Sequence, residues 1–146
     1  MNIYTIGFTK KSAKEFFELL QKNNVDCLVD IRLNNVSQLA GFTKSQDLSY
    51  FLKKIVNIDY IHSIDYAPTK DILDNYKKGR ISWLDYEKQY NKLIANRNVE
   101  KRFAFDTKAY KNVCLLCSES LPDKCHRRLL AEYLQNCLND TTVSHL

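Results

Sequence analysis

The sequence predicts a single α/β domain over residues 1–146, built on a mainly parallel sheet of about five strands with helices on both faces. Short apolar segments alternate along the chain with longer segments of helical periodicity, and this alternation is typical of parallel sheets. Apolar residues make up 45% of the 146 residues, with only three Gly and two Pro. This composition suits one buried core and excludes disordered and collagen-like chains.

The first two strands and the helix between them follow from local patterns. Residues 3–6 are apolar, mostly β-branched or aromatic, and they stop at Gly7. Ser12, followed three residues later by a glutamate, is a capping-box signature, and the helix that it opens ends at Asn23. Residues 27–32 stay apolar until charges appear at their carboxyl end, which is typical of an inner parallel strand.

The rest of the chain repeats this alternation, with helical spacing of apolar residues, a second capping-box pair and further short apolar runs. A polar loop separates the last buried strand from a helix with one apolar stripe. We expect helices over 45–56, from Pro68, from Ser82 and from Cys125, and strands over 60–64, 113–117 and 142–146.

Polar and nucleophilic side chains follow the carboxyl ends of the predicted strands, where open α/β sheets bind ligands. One strand ends in a thiol, and the next helix starts with a cysteine, a histidine and two arginines. Helix N–H groups and a nearby cation favour a thiolate and can hold an anion. The candidate catalytic residues are Cys117, Asp30, Glu119 and His126, and the candidate anion-binding residues are Arg32, Arg127, Gly7, Thr9 and Cys125.

Helix and strand geometry leaves two interpretations open for these residues. At 100° per residue, His126 falls on the apolar side of its helix, where it can simply bond a loop carbonyl. Arg127 borders the apolar arc and is expected to turn inward, whereas Arg128 is expected to face solvent. Asp30 and Arg32 lie two residues apart and face the same side, so they form either part of a site or a structural ion pair.

The cysteines also admit other interpretations. Cys117 can be a small apolar side chain in a packed strand. Cys114 and Cys117 point to opposite faces of a strand, which argues against a four-ligand zinc set, but a smaller set of Cys117, Cys125 and His126 stays open. A reversible disulfide between Cys117 and Cys125 stays open as well, and no cofactor is predicted. Three cysteines in apolar patterns are expected in the core: Cys27, Cys114 and Cys137.

Several motifs resemble the bacterial family known as domain of unknown function 488, over essentially the whole chain. They are Thr5-Ile6-Gly7, Val29-Asp30-Ile31-Arg32, Gly41-Phe42, Leu115-Leu116-Cys117-Ser118-Glu119 and Cys125-His126-Arg127-Arg128-Leu129. Members often carry a histidine where this chain has Phe8, and a proline and a second arginine where it has Asn35 and Gln38. The resemblance implies no known activity. A weaker, fold-level similarity to rhodanese-like proteins implies a cysteine loop around an anion.

The sequence thus favours two classes of function. The first is an enzyme, a transferase or hydrolase with Cys117 as nucleophile and an anionic small molecule as substrate. The second is a nucleic-acid-binding module, because residues 77–111 hold ten Lys and Arg against four Asp and Glu, interleaved with aromatic residues. Alternatively, Trp83, Tyr86 and Tyr90 form the core face of an amphipathic helix.

No apolar segment reaches the length that spans a bilayer, and the N-terminus has no cationic leader pattern. We therefore expect no membrane contact and a cytoplasmic location, where the five cysteines stay reduced.

Overall fold

Five parallel strands form one sheet in the computed structural model, which describes residues 1–36 and 40–146; Gln38 lies outside the described residues. The sheet order is β3-β2-β4-β1-β5, and every neighbouring pair is parallel. The predicted α/β class with a five-stranded parallel sheet is therefore confirmed. The strands are β1 (Asn2–Gly7), β2 (Cys27–Asp30), β3 (Asp59–His62), β4 (Asn112–Cys117) and β5 (Thr142–His145).

Helices connect the strands and cover both faces of the sheet. Ser12, Thr69 and Ser82 accept hydrogen bonds from the first turns of three helices, and Ser82 forms a reciprocal capping box with Asp85. Among the residues that the structure describes, no helix is long and apolar enough to cross a membrane. The helices are α1 (Ala13–Lys22), α2 (Ser45–Phe51, continued by a π-turn over Leu52–Val56), α3 (Lys70–Lys77), α4 (Trp83–Asn96), α5 (Val99–Asp106) and α6 (His126–Cys137).

The sheet separates two apolar cores, and β4 contributes to both. Leu115 and Cys117 face the core formed with α4, α5 and α6, whereas Cys114 and Leu116 face the core formed with α1 and α2. Successive side chains of a strand point to opposite faces, so this division follows from the spacing. Cys114 therefore lies on the opposite face from Cys117, as the sequence predicts.

Three local details differ from the sequence prediction. A helix that was not predicted, α5, begins after Asn98, which takes a left-handed φ of 51° and so turns Phe103 into the core. Cys137, expected in the core, is exposed because it is the last residue of α6. Arg128, expected in solvent, is partly buried and pairs with Glu87 of α4 at 3.2 Å.

Candidate active site

Asp30 and Arg32, at the carboxyl end of β2, form a buried ion pair. The Arg32 guanidinium donates from Nε to Oδ1 at 2.8 Å and from Nη2 to Oδ2 at 2.7 Å. The backbone N–H of Arg32 and the hydroxyl of Tyr60 on β3 also donate to this carboxylate. With four donors on its two oxygens, Asp30 is suited to positioning Arg32 rather than to the proton transfer predicted for it.

Arg32 lies between this carboxylate and a cleft at the carboxyl edge of the sheet. Burial lowers the pKa of Arg32, but the hydrogen bond and charge of Asp30 outweigh burial, so the pKa is raised. The guanidinium also lies over the ring of Phe8, 5.3 Å from its centroid. Among the described residues, no partner accepts a hydrogen bond from its Nη1. Arg32 is therefore a fixed cation with one donor group left for a ligand.

Cys117 ends β4 and is almost fully buried, at 5% exposure. A hydrogen bond from the Cys125 thiol lowers the pKa of Cys117 most, and backbone N–H groups of Ser118 and Glu119 act in the same direction. These donors and the nearby charge of Arg127 outweigh burial, so the pKa lies below that of an ordinary thiol. The geometry thus favours a thiolate at this position.

Cys125, the residue before α6, places its sulfur within 4.8 Å of the Cys117 sulfur. Its hydrogen bond to Cys117 raises its own pKa, and burial raises it further. The pKa values of these two neighbouring thiols are therefore shifted in opposite directions, that of Cys117 down and that of Cys125 up.

His126 lies next to the Cys117 sulfur but does not point a nitrogen at it. The sulfur is 3.7 Å from Nδ1 and 3.8 Å from Nε2. A point in the ring plane at both distances would overlap a ring carbon, so the sulfur lies over the face of the imidazole. Because a carbonyl can only accept, Nε2 donates its proton to the backbone oxygen of Ile31 at 3.0 Å. Nδ1 then carries the lone pair of the neutral ring.

Arg127 lies beneath the loop that follows β4, outside the cleft. It is fully buried, with Nη1 donating to the carbonyl of Glu119 and Nη2 to that of Ser120. Gly7 lies against the same contact, since a Cβ there would come within 1.6 Å of the Glu119 carbonyl oxygen. Both residues hold the loop in place, and the direct anion contact predicted for them does not fit this geometry.

Thr9 fixes the same loop one residue earlier. Its backbone N–H and its hydroxyl both donate to the carbonyl of Ser118, at 3.1 and 2.6 Å. The C=O and N–H of a trans peptide point in opposite directions, so this contact turns the N–H of Glu119 away from Thr9, toward the sulfur of Cys117. Thr9 therefore supports the thiolate indirectly, whereas the sequence predicts that it contacts an anion.

The cleft over the carboxyl ends of β1, β2 and β4 has two connected chambers. We call one the aromatic chamber; it has a volume of about 150 Å³ and is lined by Cys117, Cys125, His126, Leu33, Pro68, Leu73, Tyr76, Trp83, Tyr86 and Lys124. We call the other the basic chamber; it has a volume of about 610 Å³ and is lined by Phe8, Thr9, Lys10, Lys11 and Ala40. Arg32, Asn34, Lys77, Ser118 and Glu119 line both chambers.

Several of these residues were not predicted as part of a site. The aromatic residues of α3 and α4 have helical spacing, which does not distinguish a core face from a pocket wall. Tyr60 could have been found from strand pairing, because it lies two residues before His62, the partner of Asp30 in the sheet register. Lys10 and Lys11 carry no local signal beyond their place after β1.

The model of one protein family, described as Domain of unknown function DUF488, matches residues 12–134. The chain belongs to this family. The DUF488 match includes Asp30, Cys117 and Arg127 and leaves out Gly7 and Thr9, which the structure brings against the same loop. No curated protein and no solved structure matches the chain. The similarity to rhodanese-like proteins stays a prediction.

The basic segment 77–111 is only partly free to bind nucleic acid. Arg97 donates to the carbonyls of Asp65 and Ala67 at 2.9 and 2.8 Å, so its charge is used within the fold. Tyr90 is fully buried, as the core interpretation of α4 predicts, while Trp83 lines the aromatic chamber. Nucleic-acid binding by this DUF488 protein stays a prediction.

Proposed function

We propose that this DUF488 protein is an enzyme in which the thiolate of Cys117 attacks an anionic small molecule bound in the cleft. The observation that carries the proposal is a buried cysteine that lines a cleft, with the Cys125 thiol and the His126 ring within 4.8 Å of its sulfur and a lowered pKa. Cys114, three residues earlier on the same strand, provides the contrast: burial raises the pKa of the Cys114 thiol. A cysteine that served only packing would resemble Cys114.

The reaction class that fits this site is covalent catalysis in two steps. The sulfur lone pair of Cys117 forms a bond to an electrophilic centre, and the leaving group departs with the electrons of its own bond. Water in a hydrolase, or another acceptor in a transferase, then attacks that centre, and Cys117 departs as a thiolate. Glu119, whose side chain is exposed at the cleft, and Nδ1 of His126 are placed to donate and accept the protons.

The test is the pH dependence of alkylation by iodoacetamide, followed by peptide mass spectrometry. We expect Cys117 to react with a midpoint below that of an ordinary thiol, whose pKa is about 8.5, because its surroundings lower its pKa. Cys137, exposed on the same chain, is the internal reference. If Cys117 shows the same midpoint as Cys137 or a higher one, the proposal fails.

A matched pair of variants at Cys125 tests the cause of the shift. Cys125→Ala removes the donor to Cys117, so the midpoint for Cys117 should rise by about one pH unit, as expected for a lost charge-assisted hydrogen bond. Cys125→Ser keeps a hydroxyl donor of similar size and should shift it less. Equal shifts in both variants would show that packing, and not the hydrogen bond, sets the reactivity of Cys117.

A metal centre is the second candidate, because ligand atoms of Cys117, Cys125 and His126 lie within 4.8 Å of one another. Three ligands with an open fourth position are typical of catalytic zinc. The His126 ring would have to rotate to direct Nδ1 at an ion, since Nε2 is bonded to a carbonyl. Zinc titration with mass spectrometry under native conditions tests this: one bound ion that is lost in Cys125→Ala supports a metal site, and no bound ion removes it.

A further inference from the structure

We infer that the cleft takes a substrate in which a flat ring is joined to a phosphate-like anion, with the ring in the aromatic chamber beside Cys117 and the anion in the basic chamber. The inference rests on the proposed function for the reacting residue and adds the class of substrate. It assigns the two chambers to two different parts of one molecule.

The walls of the aromatic chamber suit a flat group. Trp83 and Tyr86 are stacked, with centroids 4.9 Å apart and an angle of 19° between their planes, and Tyr76 packs edge-on against Trp83 at 5.5 Å. All three residues line the chamber together with Cys117 and His126. Its volume of about 150 Å³ leaves space for a single small group such as a nucleobase. Aromatic rings bind planar groups through their faces and edges, and because Tyr86 is already stacked between Trp83 and Tyr90, this contact falls to Trp83 and Tyr76.

The basic chamber suits an anion. Lys10, Lys11 and Lys77 line it, and Glu119 is the single acidic side chain among the described lining residues. Arg32 adds a buried, fixed guanidinium whose charge Asp30 offsets but whose Nη1 has no acceptor among the described residues. Three lysines against one carboxylate leave a positive field, and a phosphate supplies enough acceptor oxygens for several of them.

The reacting sulfur explains why the anion occupies the basic chamber. Cys117 lines the aromatic chamber and is absent from the described lining of the basic one. An anion placed against a thiolate would repel it and raise its pKa. Arg32, Lys77 and Glu119 line both chambers, so a molecule that extends from one to the other passes directly beside them. The anion therefore anchors the substrate while the sulfur reaches the ring or the bond next to it.

Trp83 provides a local reporter for the experiment, because it is the chain's single tryptophan and lines the aromatic chamber. We titrate its fluorescence in the full chain with adenosine monophosphate, with adenosine, and with inorganic phosphate. Adenosine monophosphate should bind at least about tenfold more tightly than either part alone, since the ring and the anion contribute together, and it should slow alkylation of Cys117. Equal affinity for adenosine and its monophosphate, or no binding of either, would overturn the inference.

Charge-matched variants locate the anion. Lys10→Ala with Lys11→Ala should remove the advantage of the monophosphate over adenosine, whereas Lys88→Ala with Lys92→Ala, exposed on α4 and outside both chambers, should keep it. Equal losses in the two pairs would overturn the inference, as would binding of a ten-nucleotide single strand without binding of the monophosphate.

Two measurements on the unmodified chain separate this inference from the proposed function, because the inference needs the chamber and not the thiolate. Monophosphate binding together with an ordinary alkylation midpoint would refute the nucleophile and keep the binding site. A low alkylation midpoint without monophosphate binding would refute the binding site and keep the nucleophile.

Discussion

The two edges of the sheet both have polar side chains and a cavity, but the polar side chains differ in their burial and in their partners. At the amino edge, a cavity of about 640 Å³ is lined by Asp26, Asp59, Lys53 and Tyr110. Asp26 accepts hydrogen bonds from backbone N–H groups at the start of β4, and Asp59 accepts from Lys53 at 3.0 Å and from Tyr110 at 3.0 Å. The hydrogen-bond donors and acceptors of these groups pair with one another near solvent, and these pairs connect neighbouring strands.

At the carboxyl edge several polar groups are buried, and they line the cleft or hold the loop beside it. Arg32 is 3% exposed, and Arg127 is completely buried. The cleft at this edge has chambers of about 150 and 610 Å³, against about 640 Å³ for the cavity at the amino edge. Volume alone therefore does not distinguish the two edges. A more informative indicator of a candidate site is a buried polar group with hydrogen-bonding or charged partners. Burying a polar group without such partners costs free energy.

Of the substitutions at the carboxyl edge, Gly7→Ala should cause the largest loss in the free energy of unfolding. Its Cβ would lie 1.6 Å from the Glu119 carbonyl oxygen and 2.3 Å from Nη1 of Arg127, so the backbone of the loop has to move. We expect a loss of about 3 kcal/mol or more in the free energy of unfolding, measured by urea denaturation.

Gly41→Ala is the matched control for that measurement. An added Cβ at Gly41 meets no described atom within 4 Å, so the change should stay within about 0.5 kcal/mol. A loss below about 1 kcal/mol for Gly7→Ala would contradict the close contact between β1 and the loop.

Arg127→Met should have the next largest effect, because it leaves the carbonyls of Glu119 and Ser120 without their donor. We expect a loss of about 2–4 kcal/mol in the free energy of unfolding. Removal of this charge should also raise the alkylation midpoint of Cys117.

The neighbouring Arg128→Met is the control for Arg127→Met. Its pairs with Glu87 and Glu132 are partly exposed to solvent, so it should cost below about 1 kcal/mol and leave the Cys117 midpoint unchanged. If both variants lose the same stability and shift the Cys117 midpoint equally, then the loss of a positive charge explains the result. The hydrogen bonds from Arg127 to the loop carbonyls would not.

Local pattern was enough to predict the sheet and part of the site. Two-residue spacing predicts that Asp30 and Arg32 share a face, and the structure shows their ion pair. A step of 100° per residue likewise turns Arg127 inward. Both inferences need only the geometry of one element, which the sequence determines directly.

The functions of Gly7 and Thr9 could not be predicted in the same way. Each acts on the loop after β4, more than a hundred residues away, and the contact exists because β1 and β4 are neighbours in the sheet. Strand order depends on how whole elements pack, so no local pattern contains it. The same holds for Tyr60, whose hydroxyl reaches Asp30 from an adjacent strand.

Asp59→Asn should give the smallest effect and sharpens the contrast between the two edges. The hydrogen bond from Lys53, followed by that from Tyr110, lowers the pKa of Asp59. A lowered pKa in the folded state stabilises the fold above the unfolded value of about 3.9, and this stability is lost as the pH falls through the folded value. The side chain is 46% exposed, so the variant should cost below about 1 kcal/mol at pH 7 and less in high salt.

Urea denaturation from pH 7 to pH 3 measures both effects: the variant should lose less stability than the unmodified chain below pH 4. A cost above about 2 kcal/mol, or a shifted Cys117 midpoint, would show that the amino edge is coupled to the site.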